Sequence, residues 1–322
     1  RNVGDEYFDA AAQTNFLDLD AVLVGPAVGQ TSAIFDDFWN SASVIPLAAL
    51  SGAEEGALAR LRAHGDAGYR STRAADYVAR LRSSPGLPAL VGGNALHWLD
   101  EVGVYSDPAA KGQGEGKAQW LVHRLGRAMG LAKRELRVIS PYFVRGEEGT
   151  RWLVGKRAQG VDVSVLTNSL AANDVMAVHG GYAPYRVPLL EGGVTLYELM
   201  PHGRQDSSLF GSSGASLHTK AFAVDAERGF IGSFNLDPRS VNLNTEMGIL
   251  FRDRAATAAL LRSYEAKIAP DKSYRVRLLD GELRWDDASV APPRTWDREP
   301  EASAWRRWTA RAVGWLPIES QL

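Results

Sequence analysis

The chain has 322 residues, 45% hydrophobic and 23% charged, which is ordinary globular composition and enough for one large domain or two smaller ones. Its 36 Lys and Arg face 38 Asp and Glu for a net charge of −2, so the basic excess of a dedicated nucleic-acid binder is missing. There is no cysteine, which excludes disulfides and thiolate metal sites. No apolar run approaches the roughly 20 residues of a membrane-spanning helix.

Ala21 to Gly25 is a short apolar run ending in Gly-Pro and reads as a buried strand. Val28 to Ser41 carries Ile34, Phe35, Phe38 and Trp39 at helical spacing, the mark of an amphipathic helix. Residues 50–90 are rich in Ala, Arg and Glu, read as further helices, and run into a Ser/Pro/Gly loop at 83–88 that suits a connection between lobes. Beyond it, strands and helices alternate. Strands are expected at Leu96–Leu99, Val102–Tyr105, Leu136–Ser140, Val161–Leu166 (with apolar alternation) and Val194–Leu199. Helices are expected at Gly116–Leu131, Glu147–Ala158 with Gly160 as its C-cap, and Val178–Leu190. This alternation defines an α/β fold class with a mixed or parallel β-sheet flanked by helices.

The informative stretch runs from Leu217 to Asn235. It reads as a β-hairpin whose turn contains Gly229 as the positive-φ residue. His218 and Lys220 are two apart on the first strand, and period two puts them on one face. Ser233 and Asn235 are two apart at the end of the returning strand. Imidazole, ammonium, hydroxyl and carboxamide thus converge, and these groups suit a phosphate diester. Histidine attacks phosphorus or protonates a leaving oxygen. Lysine neutralises the non-bridging oxygens, and the other two donate hydrogen bonds to them. This chemistry requires neither metal nor cofactor.

His218-x-Lys220-x4-Asp225 followed by Gly232-Ser233-x-Asn235 resembles the HKD motif of the phospholipase D superfamily. Leu236 to Leu250, with Glu246, is similar to its continuation in the bacterial cardiolipin synthase C-like branch, as are Ser140–Phe143, Thr167–Asn173, His179–Tyr182 with Arg186, and Gly193–Glu198. The likeness runs from about Val102 to Leu250. It implies a phospholipase D-like lobe, one of two in the parent enzyme, and phosphatidyl transfer on phospholipids through a phosphohistidine. In that family each active site takes one HKD motif from each lobe. One histidine is the nucleophile and the other the acid, the latter more often from the second lobe. His218, Lys220 and Asp225 are the implied catalytic residues, with Asp225 more suited to supporting the hairpin than to chemistry. Ser233, Asn235, Glu246, His179 and Asn2 are the implied phosphate or substrate contacts. For Glu246 a structural and a site-orienting role stand equally open, and a lone histidine near a helix start, as His179 is, is ordinarily structural.

None of His64, His97, His123, His179 or His202 has a lysine two positions on. Arg1 to Phe8 resembles the continuation of a first HKD motif, with Asn2 as the counterpart of Asn235, and Asp18–Val24 corresponds to Asn244–Leu250. The expectation is a fragment beginning just after that motif, inactive unless a first-lobe segment or a second copy completes the site. Residues 1–94 are then the rest of lobe one and a connection, 95–270 the second lobe, and 271–322 a C-terminal extension. In the extension, Ala302–Gly314 puts Trp305, Trp308 and Ala312 at helical spacing among Arg306, Arg307 and Arg311, with Trp315 following. Such a helix suits a membrane surface, or else packs its tryptophans on the lobe. The expected partners are a phospholipid such as phosphatidylglycerol and, peripherally, the bacterial cell membrane or envelope, with nucleic acid disfavoured. Two other readings compete: a single-motif nuclease-type dimer and a non-catalytic phospholipid-binding envelope protein.

Overall fold

The computed structural model of the chain describes residues 2–8, 11, 14–52, 54–83, 96–201 and 214–314. The chain forms two compact units, Phe38–Trp98 on its own and Arg1–Asp37 together with Leu99–Leu322. The smaller unit holds helices Leu47–Leu50, Ala57–Tyr69 and Thr72–Ser83 (α2 to α4, after α1 at Pro26–Trp39). None of its described hydrophobic side chains is buried.

The larger unit is built on a sheet of ten strands among the described residues, in the order β12-β11-β10-β5-β4-β3-β7-β8-β9-β2. The strands are β2 Glu101–Ser106, β3 Glu135–Ile139, β4 Asp162–Asn168, β5 Thr195–Leu199, β7 Lys220–Val224, β8 Arg228–Gly232, β9 Met247–Arg252, β10 Ser273–Leu279, β11 Glu282–Asp287 and β12 Arg294–Trp296. β3, β4 and β5 are mutually parallel, joined through helices, and the other pairs are antiparallel. A separate parallel pair joins β1 (Thr14–Leu17) to β6 (Gly214–Leu217). The fold is the expected α/β class.

Both faces of the sheet are covered. Val138, Val163, Val165, Leu196, Phe222 and Phe230 face helices α5 (Leu121–Gly130), α6 (Gly146–Ala158), α7 (Met176–Tyr182) and α8 (Arg186–Glu191). Ile139, Leu166, Ala221, Ala223 and Phe251 face helix α10 (Arg254–Lys267), which follows α9 (Pro238–Asn242). α5 buries Leu121, Leu125 and Met129, spaced four apart on one stripe. Each such side chain contributes about 1.5–3 kcal/mol on burial. β4 is buried throughout after Asp162 because each of its alternating faces meets a layer of its own.

Several expectations need correction. Residues 21–24 form no strand, and Val22 and Val24 are exposed; the strand of this region is β1, seven residues earlier. Leu96–Leu99 forms no strand either. The helix expected at Gly116–Leu131 starts only at Leu121, after two 3₁₀ turns. Residues 273–296 are not an extension, since β10 to β12 prolong the main sheet, and the N-terminal residues join the same unit through β1.

The hairpin turn also differs. Gly229 lies within β8, where a Cβ would collide with the Phe251 ring, so close packing and not φ requires glycine there. The positive-φ residues are Asp225 and Ala226, at 54° and 55°. Both central positions of this turn are left-handed, as the twist of a hairpin favours. Asp225 supports the strained pair with its carboxylate, which accepts from the backbone N–H of Lys133, Arg134 and Glu135 at 3.0, 2.8 and 3.0 Å. It pins the turn to the start of β3. Asp225→Ala is expected to lower stability by about 1–3 kcal/mol in urea unfolding, for the loss of these bonds.

Candidate active site

His218 and Thr219 lie in the short gap between β6 and β7, not on a continuous strand. The gap is fixed from three sides. Asn168, at the end of β4, donates to the carbonyl of Leu217 at 3.0 Å and accepts from its N–H at 2.8 Å, so its carboxamide replaces a missing strand neighbour. The Leu17 carbonyl accepts from the N–H of His218 at 2.9 Å, and from the N–H and hydroxyl of Thr219 at 3.2 and 3.1 Å. Phe16 stacks on the imidazole at 4.7 Å between centroids, and Tyr7 meets it edge-on at 5.0 Å.

With the backbone held this way, Asp18 falls beside the ring, its Oδ2 2.9 Å from His218 Nδ1. Burial opposes ionisation of Asp18, but the hydrogen bond and charge of His218 outweigh it and hold the carboxyl below its ordinary value. An ionised Asp18 accepts, so Nδ1 carries a proton and Nε2 is left for chemistry.

Lys220 opens β7 and is buried, with Nζ donating to the His218 carbonyl at 2.6 Å. Burial pushes its ammonium down to about 8, against the pull of Asp18, Glu246, Asp174 and Asp237. A cavity of about 550 Å³ joins these groups, lined by His218, Lys220, Asp18, Asp20, Ser233 and Glu246, with Asn2 and Tyr7 at one side. Glu246 accepts from the hydroxyls of Ser233 and Ser240 at 2.5 and 3.1 Å. Ser233 in turn accepts from the Met247 N–H at 3.0 Å. Behind them a fully buried Lys111–Asp107 pair at 2.8 Å anchors the loop, since Asp107 also accepts from the Glu246 N–H and Lys111 donates to the Ser240 carbonyl.

The structure therefore brings together His218, Lys220, Ser233, Glu246 and Asn2. Asn2 donates to the Tyr7 hydroxyl at 2.9 Å. Asn235 is buried behind this wall; its N–H donates to Ser240 Oγ, and its Oδ1 has no protein partner. Asp225 stands at the far end of β7, five residues and about 16 Å from Lys220, and takes no part in the cavity.

His179 is likewise placed elsewhere. It is wholly buried, with Nε2 2.5 Å from Arg186 Nη2 and 3.1 Å from Glu299 Oε1. Burial and the Arg186 charge lower its pKa, against the opposing pull of Glu299 and Glu198. Arg186 also donates to Glu198 at 2.8 Å and to Glu299 at 2.9 Å. Burial raises the Glu299 carboxyl, but His179 and Arg186 prevail and bring it to about 2. His179 does not line the cavity. His202 lies outside the described residues.

Residues that motif reading missed are Asp18, Tyr7, Phe16, Tyr142, Asp174 and Asp237. Tyr142 donates to both oxygens of Asp174 at 3.0 Å. Asp237 caps α9 through the Ser240 N–H at 2.7 Å, and burial raises its carboxyl to about 6. Tyr142 and Asp174 adjoin segments already matched to the family, Ser140–Phe143 and Thr167–Asn173, which was the available signal.

The sheet with its His-x-Lys hairpin over a cavity of about 550 Å³ defines a phospholipase D-like lobe. The profile of the family described as "Cardiolipin synthase, PLD-like domain" matches residues 125–268. The chain is 38% identical to cardiolipin synthase C of Escherichia coli over 99% of its own length and 69% of that protein's. It is 28% identical to cardiolipin synthase A of Yersinia pseudotuberculosis over 70% of this chain and 39% of that protein. Among solved structures, Nuc, a phospholipase D family member from Salmonella typhimurium, aligns with a TM-score of 0.40 and 16% identity over 55% of this chain and 98% of its own. The sequence relatives decide the matter: the chain belongs to the cardiolipin synthase family of phospholipase D-like proteins.

The position of Lys220 makes anion binding pH-dependent with a definite sign. Its ammonium is present below about pH 8 and lost above. Affinity for glycerophosphoglycerol, a diester of constant charge, should fall up to tenfold per unit above pH 8 in calorimetric titration. Lys220→Met should abolish the slope.

Proposed function

We propose that this chain supplies one half of the active site of a phosphatidyltransferase that acts on phospholipids, with phosphatidylglycerol or a similar lipid as donor. The observation that carries the reading is His218, held by Asp18 at Nδ1, beside Lys220 on one cavity wall. Lys220 binds the non-bridging oxygens of the diester, and Ser233 lines the same wall. His218 acts from Nε2 as the acid and then the base. An ionised Asp18 stabilises positive charge on the ring, as suits a proton donor.

In the first step a histidine nitrogen bonds to phosphorus while the bond to the departing glycerol oxygen breaks, and that oxygen takes the Nε2 proton of His218. In the second, His218 removes the proton of an acceptor hydroxyl, whose oxygen bonds to phosphorus as the phosphorus–nitrogen bond breaks. The attacking histidine belongs to a second His-x-Lys segment, from the rest of the protein or from a second copy. The charge balance favours this arrangement. Asp18, Asp174, Asp237 and Glu246 all act on the single ammonium of Lys220, so an anionic diester gains from a further cation. A lipid acceptor gives cardiolipin and water gives hydrolysis.

The relatives named above come from bacteria, and peripheral association with the bacterial membrane fits a lipid substrate. No described helix is long and apolar enough to cross a membrane.

His218→Ala, in protein carrying both motifs, is expected to slow phosphatidyl transfer in phosphatidylglycerol vesicles by roughly 10²–10⁴-fold. With a p-nitrophenyl diester, whose leaving group departs without a proton, the loss should shrink to about tenfold. Equal losses in both assays would make His218 the nucleophile instead. Undiminished transfer would remove it from the site.

A further inference from the structure

The C-terminal helix, α11 (Ala304–Gly314), divides sharply into two faces. The inner face is small and closely packed. Ala310 is buried with Leu170 and Ala302, and Gly180 of α7 lets the helix approach so near that a Cβ there would strike the Ala310 carbonyl. Arg306 donates to the carbonyls of Leu170 and Asn173 at 2.9 and 2.7 Å, and Arg307 to that of Ala302. Glu299, just upstream, ties the same segment to His179 and Arg186. The helix is therefore latched to the lobe.

The outer face carries what the packing leaves over. Trp305 and Trp308 are 67% and 59% exposed, stacked on each other at 5.2 Å and 23°. Arg311 is exposed on the same stripe, and no residue of 304–314 is acidic although the whole chain is net negative. Two indoles held out into solvent are costly in water. Beside an arginine on a rigid helix they match the boundary between headgroups and acyl chains. The helix also sits beside the chemistry. Arg306 binds the carbonyl of Asn173, and the next residue, Asp174, holds Tyr142 and acts on Lys220.

We infer that the Trp305–Trp308–Arg311 face of α11 docks on the surface of an anionic phospholipid membrane and sets the catalytic cavity against it. The indoles enter the interfacial layer and the guanidinium pairs with lipid phosphate. The inference rests on the lipid-directed function proposed above and names the surface that meets the lipid.

The test is co-sedimentation of the chain with vesicles of phosphatidylcholine alone and of phosphatidylcholine with phosphatidylglycerol. The chain should bind the anionic vesicles and bind the neutral ones more weakly. Trp305→Ala/Trp308→Ala should lower the partition coefficient at least tenfold with an unchanged circular dichroism spectrum, because both side chains are exposed. Arg311→Glu should weaken binding to the anionic vesicles by about tenfold and leave neutral vesicles unaffected. Binding that persists in the tryptophan variant, equal binding to both vesicles, or no binding by the parent chain would overturn the inference. The assay involves no turnover. Vesicle binding that depends on the tryptophans, in a protein that transfers no phosphatidyl group, would keep the docking face and discard the transferase reading.

Discussion

The site depends on one backbone acceptor and the carboxylate next to it. The Leu17 carbonyl takes three donors from His218 and Thr219, which locks the gap between β6 and β7. Asp18 comes directly after it in the chain and so reaches Nδ1 of the ring. Remove this junction and the imidazole keeps its place in the chain but loses its orientation, its tautomer and its stacking partner Phe16. Two segments 200 residues apart therefore make one functional group.

Around that junction the charges are arranged under tension. A buried ammonium at Lys220 faces several carboxylates, yet burial still pulls it down to about 8, and Asp237 is raised to about 6 for the same reason. Glu246 accepts from the hydroxyls of Ser233 and Ser240 on the same wall. The fully buried Lys111–Asp107 pair holds the loop that carries Glu246 and adds no charge to the cavity. Such an arrangement is costly in a folded protein and suits the anion binding proposed for the cavity.

What was legible in the sequence was whatever lies close together along the chain. The spacing of His218, Lys220, Ser233 and Glu246 belongs to one hairpin and its continuation, so covalent geometry alone carries them to one end of the sheet. Asp18 was hidden because only the parallel β1–β6 pair brings it to His218. Asp225 supports the hairpin, as its place in the turn suggested: it follows β7 at the end opposite Lys220 and holds a left-handed turn. His179, left open between a structural and a pocket role, is wholly buried against Arg186 and Glu299. For Trp305 and Trp308 the sequence left two readings open, and the packed one is set aside: the small residues of α11 take the inner face and leave the indoles outside.

The central claim is that Asp18 fixes the tautomer of His218 so that Nε2 is the reacting nitrogen. Long-range ¹H–¹⁵N correlation spectra of the histidine ring test it directly, recorded across neutral pH for the chain and for Asp18→Asn. The account predicts a neutral His218 protonated at Nδ1, and loss of that preference in the variant. A neutral ring protonated at Nε2, or spectra indifferent to Asp18, would contradict it.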